Sequence, residues 1–150
     1  MGSGVSLREV TDADIEVFYE FQRDPESVEM AAFPARDKEA HAQHWAKIRA
    51  DETVVMRTIL FGDEVAGNIG SWVQYGKRLI GYWIGREYWG RGIATSGLQQ
   101  FVDLLTERPL NAYVAKSNVG SIRVLEKCGF QVQAEETAED GVVELLMRLG

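Results

Sequence analysis

The sequence predicts a mixed α/β fold: a mostly antiparallel sheet of about seven strands flanked by about four helices. Three observations carry this. Residues 53–85 hold three β-rich runs separated by short turns, the pattern of an antiparallel meander. At Ile93 the apolar spacing changes from the period of a strand to that of a helix. A short apolar run, Leu110–Ala115, follows that helical stripe, so the strands on either side of the helix are expected to run parallel.

The first strand is expected over residues 5–10. Thr11-Asp12-Ala13-Asp14 then sets a hydroxyl three residues before a carboxylate, a capping box with Asp in place of the usual Glu. Ile15, Phe18, Tyr19 and Phe21 follow at helical spacing, to a stop near Pro25. A second helix fits residues 37–50, with Ala40, His44, Trp45 and Ile48 along one side. The stretch between, through Phe33-Pro34, is expected to be an irregular loop or short helix. The meander runs through strands at 53–61, 65–74 and 79–85, with turns at Gly62-Asp63 and Tyr75-Gly76-Lys77-Arg78.

Ile93, Ala94, Gly97, Leu98, Phe101, Val102 and Leu105 form the long helical stripe, which Pro109 closes. A further helix fits residues 118–127, and the last strands fit 130–134 and 142–148. There are no repeats, low-complexity tracts or linkers, so residues 1–150 read as a single domain. Residues 1–4 are expected to be disordered or a cloning remnant.

The chain has 150 residues, enough to bury a core without metals or disulfides. Its single cysteine, Cys128, reads as a small buried thiol. A net charge of −7 argues against nucleic acid or an anionic membrane as the main partner. No apolar run approaches the roughly 20 residues that span a bilayer. A cytoplasmic monomer or homodimer is the expectation. His41 and His44 lie three apart on a helix, a spacing that suits a metal, but no third ligand is in view; a surface or packing role is expected and no metal site.

The most informative segment is Gly81-Tyr82-Trp83-Ile84-Gly85-Arg86-Glu87-Tyr88-Trp89-Gly90-Arg91-Gly92-Ile93-Ala94. A strand ends, a loop carries Gly90 and Gly92 around Arg91, and a helix begins at once. Glycines let a ligand approach the backbone, and a helix start presents free N–H groups. Together they suit phosphate, with Arg91 able to add a charged contact. Two other phosphate loops fail here. The P-loop needs lysine and a hydroxyl after its last glycine, but Arg91 and Gly92 follow Gly90. A dinucleotide fingerprint needs glycine or alanine where Thr95 stands and an acid ending the next strand, which Leu110–Ala115 does not offer.

The loop resembles the pyrophosphate loop of the GNAT superfamily of acyl-CoA-dependent N-acyltransferases. The run from Gly81 to Ala94 is similar to the branch that acetylates ribosomal-protein amino termini. A second segment, Asn118-Val119-Gly120-Ser121 leading into Glu126-Lys127-Cys128-Gly129-Phe130, resembles the family's Asn-x-x-Ser and Glu-Lys-x-Gly-Phe signature. One helix and one strand separate the two, as the family requires. The likeness covers essentially the whole chain, with residues 1–50 matching in element order only.

The resemblance implies transfer of an acetyl group from acetyl-CoA to a primary amine, on a protein amino terminus or a small molecule, with no metal. It implies that Trp83, Ile84 and Gly85 offer a strand edge to pantetheine. The amides of Trp89, Gly90, Arg91, Gly92, Ile93, Ala94 and Thr95 would hold the pyrophosphate. Asn118 would bond the pantetheine amide, and Lys127, Gly129 and Phe130 would shape the helix–strand corner. One or two of Tyr82, Trp83, Tyr88 and Trp89 are expected to meet ligand.

The chain departs from the family at three places. Glu87 stands where the loop carries Gln or Arg; it is expected to turn outward, with Arg86 and Arg91 restoring positive charge. Leu79 replaces the Glu that many relatives use as base, and Leu125 replaces a Tyr acid. Ser121 resembles a serine that some relatives use as the acid, or it bonds within its helix. Glu135, Glu136 and Tyr82 are the candidates for the base by position, none of them assigned. The alternatives to an enzyme are a non-catalytic acyl-CoA-binding sensor domain and a nucleotide-binding domain using the same loop.

Overall fold

A computed structural model describes residues 4–31 and 35–150. Seven strands form one sheet in the order β1-β2-β3-β4-β5-β7-β6. These are β1 (Val5–Arg8), β2 (Val55–Phe61), β3 (Glu64–Gln74), β4 (Lys77–Ile84), β5 (Leu110–Ala115), β6 (Gln131–Thr137) and β7 (Val143–Leu149). Every neighbouring pair is antiparallel except β4–β5, which is parallel. The expected meander and parallel pair are therefore both present.

Five helices pack on the sheet among the described residues: α1 (Asp12–Gln22), α2 (Pro25–Ala31), α3 (Lys38–Ala50), α4 (Ile93–Leu104) and α5 (Val119–Lys127). The fifth, α2, occupies part of the stretch expected to be an irregular loop or short helix; Phe33-Pro34 lies outside the described residues. Pro25 ends α1 and also starts α2, because proline suits the first helical turn. Asp24 supports that start by accepting from the Ser27 amide at 2.9 Å.

Several boundaries move for local reasons. β1 stops at Arg8. β2 begins at Val55 because Asp51 accepts from both the amide and the hydroxyl of Thr53, holding a turn there. Asp37 is the cap of α3 rather than its first residue, accepting from the Ala40 amide at 2.8 Å. The β3–β4 turn is only Tyr75-Gly76, both at positive φ, so β4 starts at Lys77. Gly4 is not loose: its carbonyl accepts from the Gly62 amide at 2.9 Å.

The registers divide the side chains between two faces. Ile59, Ile69, Ile80, Ile84 and Val114 lie with Leu98, Phe101 and Leu125 in the core under α4 and α5. A Cβ on Gly97 would meet Ile59 Cδ1 at 3.3 Å, so glycine sets the close approach of α4. Thr58, Asn68, Trp83, Asn111 and Tyr113 share the other face, toward α1, α2 and α3.

That second face is tied down by one buried carboxylate. Asp14, 2 % exposed, accepts from Arg8, from the Thr11 amide at 2.9 Å and from the Thr58 hydroxyl at 2.7 Å. Burial alone would raise its pKa. The hydrogen bonds from Arg8, Thr11 and Thr58 outweigh that and hold the carboxyl well below the usual range. His41, on α3, is buried in ring contact with Tyr19 and Trp45, as a packing residue. Burial, with the charges of His44 and Arg36, lowers its basicity.

Candidate active site

β4 and β5 pair at a single position, Leu79 with Asn111, and then part. The gap opens on a cleft of about 480 Å³, within the range of ordinary small-molecule sites. Its walls are the end of β4 (Tyr82, Trp83, Ile84), the following loop, the first turn of α4, and α5 from Asn118 onward. Ser27 of α2 reaches it from the opposite face.

The loop is held in shape at both ends. Residues Arg86–Tyr88 make one 3-10 turn, and Trp89 Nε1 donates back to the Ile84 carbonyl at 3.0 Å. Gly90 and Gly92 then adopt φ +76° and +75°, the left-handed region that disfavours side chains. Gly92 is the cap of α4 and offers no side-chain acceptor. The opening amides of α4, at Ile93, Ala94 and Thr95, therefore meet the cleft as uncommitted donors at the positive end of the helix.

The structure brings together Trp83, Ile84, Trp89, Gly90, Gly92, Ile93, Ala94, Thr95, Asn118 and Ser121 around this cleft. Gly85 and Arg91, expected to contribute backbone groups, are not among the residues that line the cleft. A Cβ on Gly85 would come within 2.6 Å of the Phe21 ring, so glycine is what fits there. Arg91 lies outside the cleft lining, its guanidinium 5.9 Å from the Phe61 ring centre and 6.0 Å from that of Tyr88. Arg86 does not supply loose positive charge either, since it pairs with Asp24 and Glu26, each at 3.1 Å. Glu87 is exposed and does not line the cleft.

The cations that do line it are Arg123 and Lys127, neither of which makes an ion pair among the described residues. Together with Gly120 and Val124 they form one stripe of α5, at positions 120, 123, 124 and 127. Neither cation was singled out as a ligand group from the sequence, although the i, i+4 spacing was a visible signal. With the glycine turn and the uncapped α4 start, they give a donor set fitted to a diphosphate and a further phosphate.

Asn118 uses its Oδ1 to cap α5, accepting from the Ser121 amide at 3.2 Å. Its NH2 group has no partner among the described residues, so capping and ligand contact are compatible. Ser121 is not turned into its own helix: its hydroxyl lies 2.6 Å from the Tyr82 hydroxyl. Burial pushes the Tyr82 phenol up to about 12 even though the Ser121 hydrogen bond pulls it down, and the nearby Cys128 thiol adds to the rise. Burial thus holds the proton on Tyr82 more tightly than on a free phenol, which disfavours it as a base. Glu135 pairs with Lys116 at 2.6 Å and stands on the α4–α5 face. Glu136, directly opposite Glu144 on β7, stands on the other face beside Tyr113.

Residues 5–131 match the family model described as Acetyltransferase (GNAT) domain. The chain belongs to the GNAT acetyltransferase family. As a member it is an N-acetyltransferase with acetyl-CoA as cosubstrate. A relative from Bacillus licheniformis, named uncharacterized N-acetyltransferase p20, is 27 % identical over 140 residues, covering 85 % of this chain and 79 % of that one. The fold is similar to that of aminoglycoside acetyltransferase AAC(6')-Ib in complex with coenzyme A, at TM-score 0.82 and 24 % identity over 97 % of this chain and 94 % of the other. The same enzyme with ribostamycin and coenzyme A gives TM-score 0.80 at 25 % identity, covering 97 % and 92 %. Spermidine N-acetyltransferase from Vibrio cholerae, with CoA and spermine, gives TM-score 0.85 at 15 % identity, covering 99 % and 96 %.

The cleft thus has one end at α4 and the Arg123–Lys127 stripe, and another between Tyr82, Ser121 and the parted strands. Trp83, at this second end, shares a sheet face with Tyr113, Glu136 and Glu144.

Proposed function

We propose that the enzyme acetylates the primary amine of a small cationic acceptor, by direct attack within a ternary complex. The observation that carries this reading is the wedge between β4 and β5, open to both faces of the sheet. A thioester threaded along the β4 edge from the α4–α5 side meets an amine arriving from the α1–α3 side. Positioning of the two in contact supplies much of the acceleration.

The amine nitrogen attacks the thioester carbonyl carbon. A C–N bond forms, and the C–S bond breaks with its electron pair on sulfur. The nitrogen sheds one proton and the sulfur gains one. Ser121, at the reacting end, donates to the departing sulfur. Glu136 takes the amine proton through water, being the one of the three base candidates on the acceptor face with a carboxylate to offer.

A cationic acceptor is favoured by two carboxylates set directly opposite one another. Glu136 and Glu144 face each other across β6–β7 at the open end of the wedge, where Ala115 pairs with Glu144. Like charges so placed repel. Burial, with the charges of Asp140 and Glu136, raises the Glu144 pKa, and a bound cation would relieve that repulsion. Relatives whose structures hold ribostamycin or spermine bind acceptors of this kind.

Thermal melting with acetyl-CoA, CoA, ATP and NAD is the first test, since a ligand of the folded state must raise the melting temperature. Acetyl-CoA and CoA are expected to raise it, and ATP and NAD not. Thiol release is then followed with an aminoglycoside, a polyamine and a peptide with a free amino terminus. Turnover of the peptide alone would overturn the cationic small-molecule reading. Tight acetyl-CoA binding with no release from any amine would replace enzyme by sensor.

A further inference from the structure

We propose that Tyr82 is a positioning residue that orients and polarises the Ser121 hydroxyl toward the sulfur leaving acetyl-CoA. The inference rests on the acetyl-transfer reading above and assigns a second group to its reacting end. Tyr82 comes from β4 and Ser121 from the first turn of α5, and both line the cleft. Their hydroxyl oxygens are 2.6 Å apart, a short contact for two uncharged hydroxyls.

The direction of that bond follows from acidity. A phenol is the stronger acid of the two even when burial raises it, and it also faces the Ser121 carbonyl, so in this proposal the phenol donates and the serine oxygen accepts. The Ser121 carbonyl, 3.5 Å from the same phenol, is a distant second acceptor. With its oxygen already accepting, Ser121 has its own hydrogen free for the cleft. Hydrogen bonds in series polarise one another, so this hydrogen is a better donor than that of an isolated serine.

The Tyr82 hydroxyl has no bond to any other residue, among the described residues, than Ser121. Its ring packs against the core below α4 and α5, so the oxygen is delivered to Ser121 by a rigid strand. The tyrosine does not touch the reacting atoms in this scheme. The sulfur takes the C–S electron pair and its proton from the serine side, and the proton shed by the nitrogen balances the account through solvent.

The test uses Tyr82→Phe, which keeps the ring, in the wild-type and Ser121→Ala backgrounds. With the amine that releases thiol fastest, Tyr82→Phe is expected to lower kcat about tenfold and leave the acetyl-CoA KM unchanged. Added to Ser121→Ala it is expected to cost nothing more, because its effect passes through the serine. Unchanged kcat, or the same loss in both backgrounds, would overturn the proposal. A second measurement needs no acceptor. The thiol of bound CoA, followed by thiolate absorbance, is expected to titrate about one pH unit lower in the wild type than in Tyr82→Phe. Equal titration in the two would also overturn it. Failure of CoA to raise the melting temperature of the wild type would instead sink the acetyl-transfer reading itself.

Discussion

The two faces of the sheet use their polar groups in opposite ways. On the α4–α5 face the groups nearest the cleft are uncommitted: the first amides of α4, the Asn118 NH2, Arg123 and Lys127. On the α1–α3 face the charges that meet the helices hold one another. Asp14 binds Arg8 and Thr58, Asp24 binds Ser27 and Arg86, and Glu26 binds Arg86 as well. One face leaves its donors unpaired at the cleft, and the other uses its ion pairs to set where α1 and α2 lie. Substitutions on the two faces should therefore separate into binding effects and stability effects.

The largest effect is expected at Asp14. Asp14→Ala leaves Arg8 and Thr58 without their shared acceptor and should cost about 3 kcal/mol of stability, about 10 °C in melting temperature. The affinity of the folded variant for acetyl-CoA should not change. The contribution also has a pH signature. The folded carboxyl titrates below its unfolded value, so the stabilisation is complete above the unfolded pKa near pH 4 and is lost as pH falls further. Urea titrations of wild type and Asp14→Ala should converge below about pH 4. A gap that stayed constant down to pH 2 would show that the ion pair is not its source.

Next comes the loop. Gly92 sits at φ +75° with open space around its missing Cβ, so a side chain there meets backbone strain, not a clash. Gly92→Val should cost about 2 kcal/mol in the left-handed region and weaken acetyl-CoA binding about thirtyfold by calorimetry. The melting temperature without ligand should move less than it does in Asp14→Ala. The reverse ranking would erase the distinction between the faces.

Gly90, Gly92 and the opening of α4 were legible because their signals are local: glycine spacing, and a strand period giving way to a helix period. The element order was legible for the same reason. What escaped depends on contacts distant in sequence. Arg91 looked like an anion ligand, yet its guanidinium rests on Phe61, 30 positions earlier in the chain, and on Tyr88. The partnership of Tyr82 and Ser121 joins residues 39 apart and has no sequence signal. Pro25 signals the end of one helix, and Asp24-Pro25-Glu26-Ser27 also carries the start of the next. Arg123 and Lys127 announced a helical cationic pair, but not which face of α5 would meet the cleft.

That pair gives a third, smaller effect. Replacing both by Gln should weaken acetyl-CoA binding by about 1 kcal/mol, roughly fivefold, because both are exposed and any phosphate contact they make is screened by water. Their share should shrink as salt rises, while the backbone share set by Gly90 and Gly92 persists. Equal affinity of the double variant at low salt would leave the phosphates to the backbone alone.

The smallest effect is the most informative about how the faces communicate. Arg86 follows β4 on the loop that leads to Gly90, yet it grips Asp24 and Glu26 at the start of α2. Asp24 in turn accepts from the hydroxyl of Ser27, 3 % exposed at the cleft wall. The contact thus ties the loop after β4 to the start of α2 through Asp24. Arg86 is half exposed, so the pair itself is worth well under about 1 kcal/mol. Arg86→Gln should leave the melting temperature within about 2 °C of wild type and the acetyl-CoA KM unchanged, while the amine KM rises about twofold to fivefold. If the acetyl-CoA KM rose instead, Arg86 would belong to the phosphate end after all. If neither KM moved, α2 would be positioned by the Asp24 cap alone, and the two faces would act independently.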